Sequence, residues 1–191
     1  MIPFSLNVLL LVDSSHAQSA LACSPVPIEK IETIPKCAIR DRNGRILVRK
    51  QVIPMLSFSS DGLAAIRIDG ILMHVNRKGR TAPALLVDNS TDYVVEGLTR
   101  IVKSGKIGFV NADLREVVAP EWDFAWPFEG GVAVVCRGCH PVKLDVDDEH
   151  SIMEDGVWGY IDRSGRVVLP VTFTKLTLPL PEEARRQARG R

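Results

Sequence analysis

The chain has 191 residues, 46% hydrophobic and 25% charged, a balance too apolar for a disordered polymer and suited to one domain or a short array of small units. Twenty-four basic residues against 23 acidic leave a net charge of +1, so no whole-protein field gathers nucleic acid or an anionic membrane. Fourteen glycines and 12 prolines interrupt the chain too often for long helices, and no run of 18 apolar residues marks a membrane-spanning helix.

Residues 1–29 contain no Lys or Arg and carry an apolar stretch, Val8 to Val12, followed by small residues at Ser14, Ser15, Ala17 and Ala20. This is the form of an export leader, with a cut after Ser15-His16-Ala17 and before Gln18, although the usual basic n-region is missing and Asp13 follows the apolar core directly. Within the same stretch, Ala20-Leu21-Ala22-Cys23 is similar to the lipobox of bacterial lipoproteins. Cys23 is therefore a candidate for a lipid anchor. The alternative is a hydrophobic first strand in a cytoplasmic protein. Cys23, Cys37, Cys136 and Cys139 are an even set with three pairings if all are oxidised, and a lipid on Cys23 would leave Cys37 alone.

From residue 30 to 178 the sequence repeats. Four turns align without gaps, Asp41 to Arg45, Asn76 to Arg80, Asn111 to Arg115 and Asp162 to Arg166, at spacings of 35, 35 and 51. The last interval carries an insertion, placed near 136–154. Gly44, Gly79 and Gly165 share one column; a second holds Gly62, Gly97 and Gly131, and a third Gly70, Gly105 and Gly156. Branched and aromatic residues approach each turn, an Asp or Asn caps it, and the glycine takes positive φ, so each unit reads as about three short antiparallel strands. Leu114 stands where the third glycine belongs, which predicts a longer or distorted turn there. Units this small cannot bury an apolar face alone and must stack in series, which gives an all-β fold of about four units.

The segment Val157-Trp158-Gly159-Tyr160-Ile161-Asp162-Arg163-Ser164-Gly165-Arg166-Val167-Val168-Leu169-Pro170 closely resembles the WG repeat family of bacteria. The likeness extends to Lys106–Asn111, where Ile107 replaces the tryptophan, and fades at Ile71–Asn76, where the glycine is lost too. The resemblance implies tandem β-rich units in an exported or surface-associated protein. It supplies no catalytic activity and no agreed functional residues.

Glu121 to Phe128 alternates strictly, which sets Trp122, Phe124, Trp126 and Phe128 on one face of an extended strand. Those rings make either a groove for a peptide or glycan or, the preferred reading, the shared core between adjacent units. Cys136-Arg137-Gly138-Cys139-His140 satisfies the pattern for covalent c-type haem attachment. It equally suits a local disulfide closing the insertion, a zinc site with His150, or free thiols. Because small CxxC loops recur at this insertion point in WG repeat proteins without the histidine, the resemblance favours the disulfide. Asp145, Asp147, Asp148, Glu149, Glu154 and Asp155 continue the insertion as an acidic cluster without the spacing of a calcium loop.

Residues 179–191 form a basic tail, with Pro181 and two acids before four arginines, suited to a short helix and expected to fray. Nucleophile-elbow, zinc-protease, dinucleotide and phosphate-loop motifs are absent from the sequence. The expectation is a non-enzymatic binding module without a cofactor, periplasmic or in the cell envelope, or cytoplasmic if the leader does not work. Its partner would be a protein or an envelope polymer, with no nucleic acid. The competing expectation is a redox or haem protein using Cys136, Cys139 and His140.

Overall fold

The computed structural model describes residues 19–26, 33–87, 90–144 and 151–190. The apolar core and cleavage site of the leader, His16, and the acidic stretch 145–149 with His150 lie outside them. In chain order, unit 1 comprises β1 (Ser19–Pro25), β2 (Ile34–Arg40) and β3 (Ile46–Val48), and unit 2 comprises β4 (Leu63–Ile68), β5 (Ile71–Asn76) and β6 (Thr81–Pro83). A two-residue pair, β7 (Leu86–Val87) and β8 (Ser90–Thr91), leads into unit 3, made of β9 (Leu98–Lys103), β10 (Lys106–Asn111) and β11 (Glu116–Trp122). After β12 (Phe124–Ala125) comes β13 (Val132–Arg137), then the insertion with β14 (His140–Lys143) and β15 (Ser151–Glu154). Finally, β16 (Val157–Asp162) and β17 (Val167–Phe173) complete unit 4, and a helix, α1 (Pro181–Arg189), closes the chain.

Each unit is an antiparallel meander, so the chain is an all-β repeat, with one short α-helix among the described residues. Units 1 and 2 merge into one six-stranded sheet in the order β3-β2-β1-β4-β5-β6, whereas unit 3 forms β11-β10-β9 and unit 4 forms β12-β13-β16-β17. This corrects the leader boundary at residue 29. Residues 19–25 are the first strand of unit 1, paired with β2 on one side and β4 on the other. Their small apolar residues serve a buried strand as well as they serve a leader.

The four turns are the same turn. In each, the backbone N–H of the third residue past the Asx donates to the Asx carbonyl: Gly44 to Asp41, Gly79 to Asn76, Leu114 to Asn111 and Gly165 to Asp162, at 3.0, 2.9, 2.8 and 2.9 Å. The Asx side chain then accepts the N–H two residues after it, or four, or both, from Asn43 and Arg45, Lys78 and Arg80, Arg115, and Ser164 and Arg166. The distorted third turn is not found: Leu114 takes φ +55° and keeps the hydrogen bonds, a backbone strain of about 1 kcal/mol. Its side chain packs against Ala82, Ile101 and Val110 of the neighbouring strands. Glycine is needed at position 79 for another reason, since a Cβ there would strike the carbonyl of Val48 in unit 1.

Units 1 and 2 enclose a core around Ile66, Ile68 and Val75, and units 3 and 4 share a second around Phe109, Trp122 and Phe128. The tail does not fray. Ala184 of α1 is fully buried against Val132, Tyr160, Val168 and Leu169, Arg185 reaches Glu129 at 3.1 Å, and the Tyr160 hydroxyl donates to the Pro179 carbonyl at 2.9 Å. The helix thus covers the exposed end of unit 4, as terminal caps do in stacked repeats.

Candidate functional site

Two places in the fold concentrate chemistry. The first is the insertion, which occupies the position of the two-residue turns Asp69-Gly70 and Ser104-Gly105 of units 2 and 3. It runs from Arg137 to Val157, which are cross-strand partners. Cys136 is joined to Cys139 at a Cα separation of 6.2 Å. Trp158 packs on this pair and donates its indole N–H to the Asp155 carbonyl at 2.9 Å. Asp123 accepts the Gly138 N–H at 2.8 Å and also an ion pair from Lys106. The hydrogen bond from Lys106 and that from Gly138 hold the Asp123 carboxyl below its ordinary range.

This arrangement favours the local disulfide over the haem reading. Both sulfurs are consumed in the disulfide under a tryptophan, and the exposed His140 lies only 3.9 Å from Asp155 across the hairpin. Among the described residues no group of three or more metal-ligating side chains converges. The lipid reading of Cys23 gains no support. Cys23 is 2% exposed and is joined to Cys37 at a Cα separation of 5.8 Å, so its thiol is not available for acylation.

The four alternating rings do not share a face, because the chain bends at Asp123 and restarts as β12. Trp122 and Phe128 are buried, Phe128 against Phe109 at 4.7 Å between centroids. Phe124 sits beside Trp158, and Trp126 stands 55% exposed with its ring edge-on to Phe124. The rings therefore belong mainly to the shared core, with Trp126 alone presented outward.

The second place was not visible as a motif. A groove of about 860 Å³ crosses units 1, 2 and 3. Its floor is apolar, from Ile46, Met73, Ala82, Ile101 and Val110, all buried, and Leu47 and Ile71 stand exposed at its edge. Five cations line it, Arg40, Arg45, Arg80, Lys103 and Arg115, against one carboxylate, Glu116. Beneath unit 3 lies a buried polar cluster that was likewise unforeseen. Arg100 binds Asp92 through two nitrogens at 2.7 and 2.8 Å and the Ala125 carbonyl at 2.9 Å. His74, 1% exposed, touches the Thr99 hydroxyl at 3.3 Å. Burial drives the His74 pKa down to about 4, against a smaller opposing pull from Asp92.

The WG containing repeat model matches residues 107–138 and 158–177. Two stretches of the chain are thus similar to the WG containing repeat. No curated protein and no solved structure matches it significantly. The two matched segments fall on units 3 and 4, where the structure explains the Gly of the WG pair. A Cβ on Gly159 would meet the carbonyl oxygens of Pro170 and Leu169 at 2.5 and 2.8 Å, and one on Gly108 would meet Val118 and Pro120 at 2.5 and 2.6 Å. The return strand crosses here at a bulge, and only a residue without a side chain lets it pass. Most of the groove lies outside the WG-matched segments.

Proposed function

We propose that this chain is a non-enzymatic WG repeat binding module of the bacterial cell envelope, and that the groove over units 1 to 3 is the face that meets its partner. The groove carries the reading. It is a concave site with an apolar floor and convergent charged groups, the usual make-up of a binding pocket. The pairing of all four cysteines supports the compartment, because structural disulfides persist in oxidising surroundings. Cleavage before Gln18 would free a chain that begins just ahead of β1. Among the described residues no helix is long and apolar enough to cross a membrane, and the buried Cys23 disulfide argues for a released protein rather than a lipid-anchored one. The absence of enzyme motifs in the sequence supports the non-enzymatic part.

The test is expression of the full gene product in a bacterium with its own leader, followed by fractionation, amino-terminal sequencing and alkylation without reductant. Recovery outside the cytoplasm with no alkylatable thiol is expected; a cytoplasmic protein with four free thiols overturns the export. Co-sedimentation of the purified protein with isolated envelopes tests the binding, and its complete absence removes that part.

A further inference from the structure

The turn residues distribute charge unevenly along the repeat. Every unit has an arginine four positions after its Asx, namely Arg45, Arg80, Arg115 and Arg166. In units 1 and 4 the Asx is aspartate, and its second oxygen neutralises that arginine: Arg45 to Asp41 at 2.8 Å and Arg166 to Asp162 at 2.8 Å. In units 2 and 3 it is asparagine. Asn76 and Asn111 still accept the backbone N–H groups that hold the turn, so the turn survives intact while the neutralising carboxylate is gone. Asp113, in the turn of unit 3, is taken by Lys78 at 2.8 Å, and Glu116, which also lines the groove, makes no ion pair with Arg80 or Arg115. Arg80 and Arg115 therefore have no ion-pair partner among the described residues, and neither do Arg40 and Lys103. All four line the groove.

Charge and grease are also separated within it. Arg80, Lys103 and Arg115 are exposed at the rim, whereas Ile46, Met73, Ala82, Ile101 and Val110 are buried beneath them. An anion without an apolar part would leave the floor unused, and a neutral apolar molecule would leave the unpaired cations unused. The volume of about 860 Å³ lies in the range of small-molecule sites, roughly 300–1,000 Å³. Resting on the reading of this groove as the binding face, we propose that its ligand is a single-chain anionic amphiphile of fatty-acid type. The carboxylate sits between Arg80 and Arg115 at the rim, and the hydrocarbon chain lies on the floor against Met73, Ala82 and Ile101.

Titration of the oxidised full chain with dodecanoate, below the concentration at which it forms micelles, tests this by calorimetry. Saturable binding near one equivalent is expected. Dodecanol and inorganic phosphate, which carry only the chain or only the charge, bind at least tenfold more weakly. Arg80→Gln and Arg115→Gln each weaken dodecanoate by about two- to fivefold, the range of one exposed charge pair. Asn111→Asp rebuilds the pairing seen in unit 4 without disturbing the turn and weakens binding by a similar factor. Asp162→Asn, which frees an arginine remote from the groove, leaves affinity unchanged. Failure of dodecanoate to bind, equal binding of dodecanol or phosphate, or indifference to both arginine variants overturns the proposal. If envelopes are nonetheless retained by the same protein, the ligand class is wrong and the envelope-binding reading stands; loss of both removes both.

Discussion

Among the differences between units 3 and 4 and units 1 and 2, one repeated position goes with a change in the length of a strand. Three residues before the turn Asx, the first pair of units has Ala38 and Met73, and the second pair has Gly108 and Gly159. Where the side chain is present, the return strand is three residues long, Ile46–Val48 and Thr81–Pro83; where it is absent, the strand runs seven residues, Glu116–Trp122 and Val167–Phe173, with shifts in register. The missing Cβ lets the return strand lie across the approach strand and continue. With Met73 in place it parts early, and the space it leaves is floored by Met73 itself and becomes part of the groove. Where the glycine is missing, the return strand is shorter and a groove lies beside it.

The comparison breaks most easily at the junction between the halves. Asp92→Ala leaves Arg100 buried and unpaired, and a loss of about 3–5 kcal/mol is expected in urea unfolding; if the loss is below 1 kcal/mol, the halves are not coupled through this pair. His74 belongs to the same junction. Its folded pKa of about 4 lies below the ordinary 6.5, so the unfolded chain takes up the proton first and stability falls as pH drops from 6.5 towards 4. The expected loss is about 3 kcal/mol greater than in His74→Gln, read from urea midpoints at pH 7.5 and 4.

The two disulfides sharpen the contrast further. Cys23–Cys37 spans 14 positions and Cys136–Cys139 spans three, so the double alanine variant of the first should cost about 3 kcal/mol and that of the second about 2 kcal/mol. Reversal of that order in thermal unfolding would show that the insertion holds the second half together more than chain entropy allows. Gly159→Ala forces a side chain into the crossing strand, for about 2 kcal/mol. Gly44→Ala, with nothing within 4 Å and φ +76°, costs only the backbone strain, about 1 kcal/mol.

Much of this architecture was legible because turns are local. An Asx, a glycine three residues on and flanking branched residues name a hairpin without reference to the rest of the chain, and the longer last interval announced an insertion near 136–154. Leu114 misled because packing against Ala82, Ile101 and Val110 offset a strain that the sequence alone charges in full. The first strand was read only as the alternative to a leader, since Ser19-Ala20-Leu21-Ala22-Cys23 has the small apolar composition that suits both. Strict alternation from 121 to 128 suggested one face for four rings, and a single bend at Asp123 divided them. The groove was out of reach for a different reason. Its arginines were in plain view in the repeat, yet only the three-dimensional stacking shows that the two beside asparagine meet over one apolar floor.

The position of β1 has a consequence for how the molecule assembles. That strand lies in the middle of the six-stranded sheet, bonded to β2 and to β4. During synthesis, Ser19–Pro25 is made before Leu63–Ile68 and keeps one hydrogen-bonding edge open until that strand arrives. The amino-terminal half therefore closes as a pair of units or not at all, and a chaperone would find its target in that waiting edge.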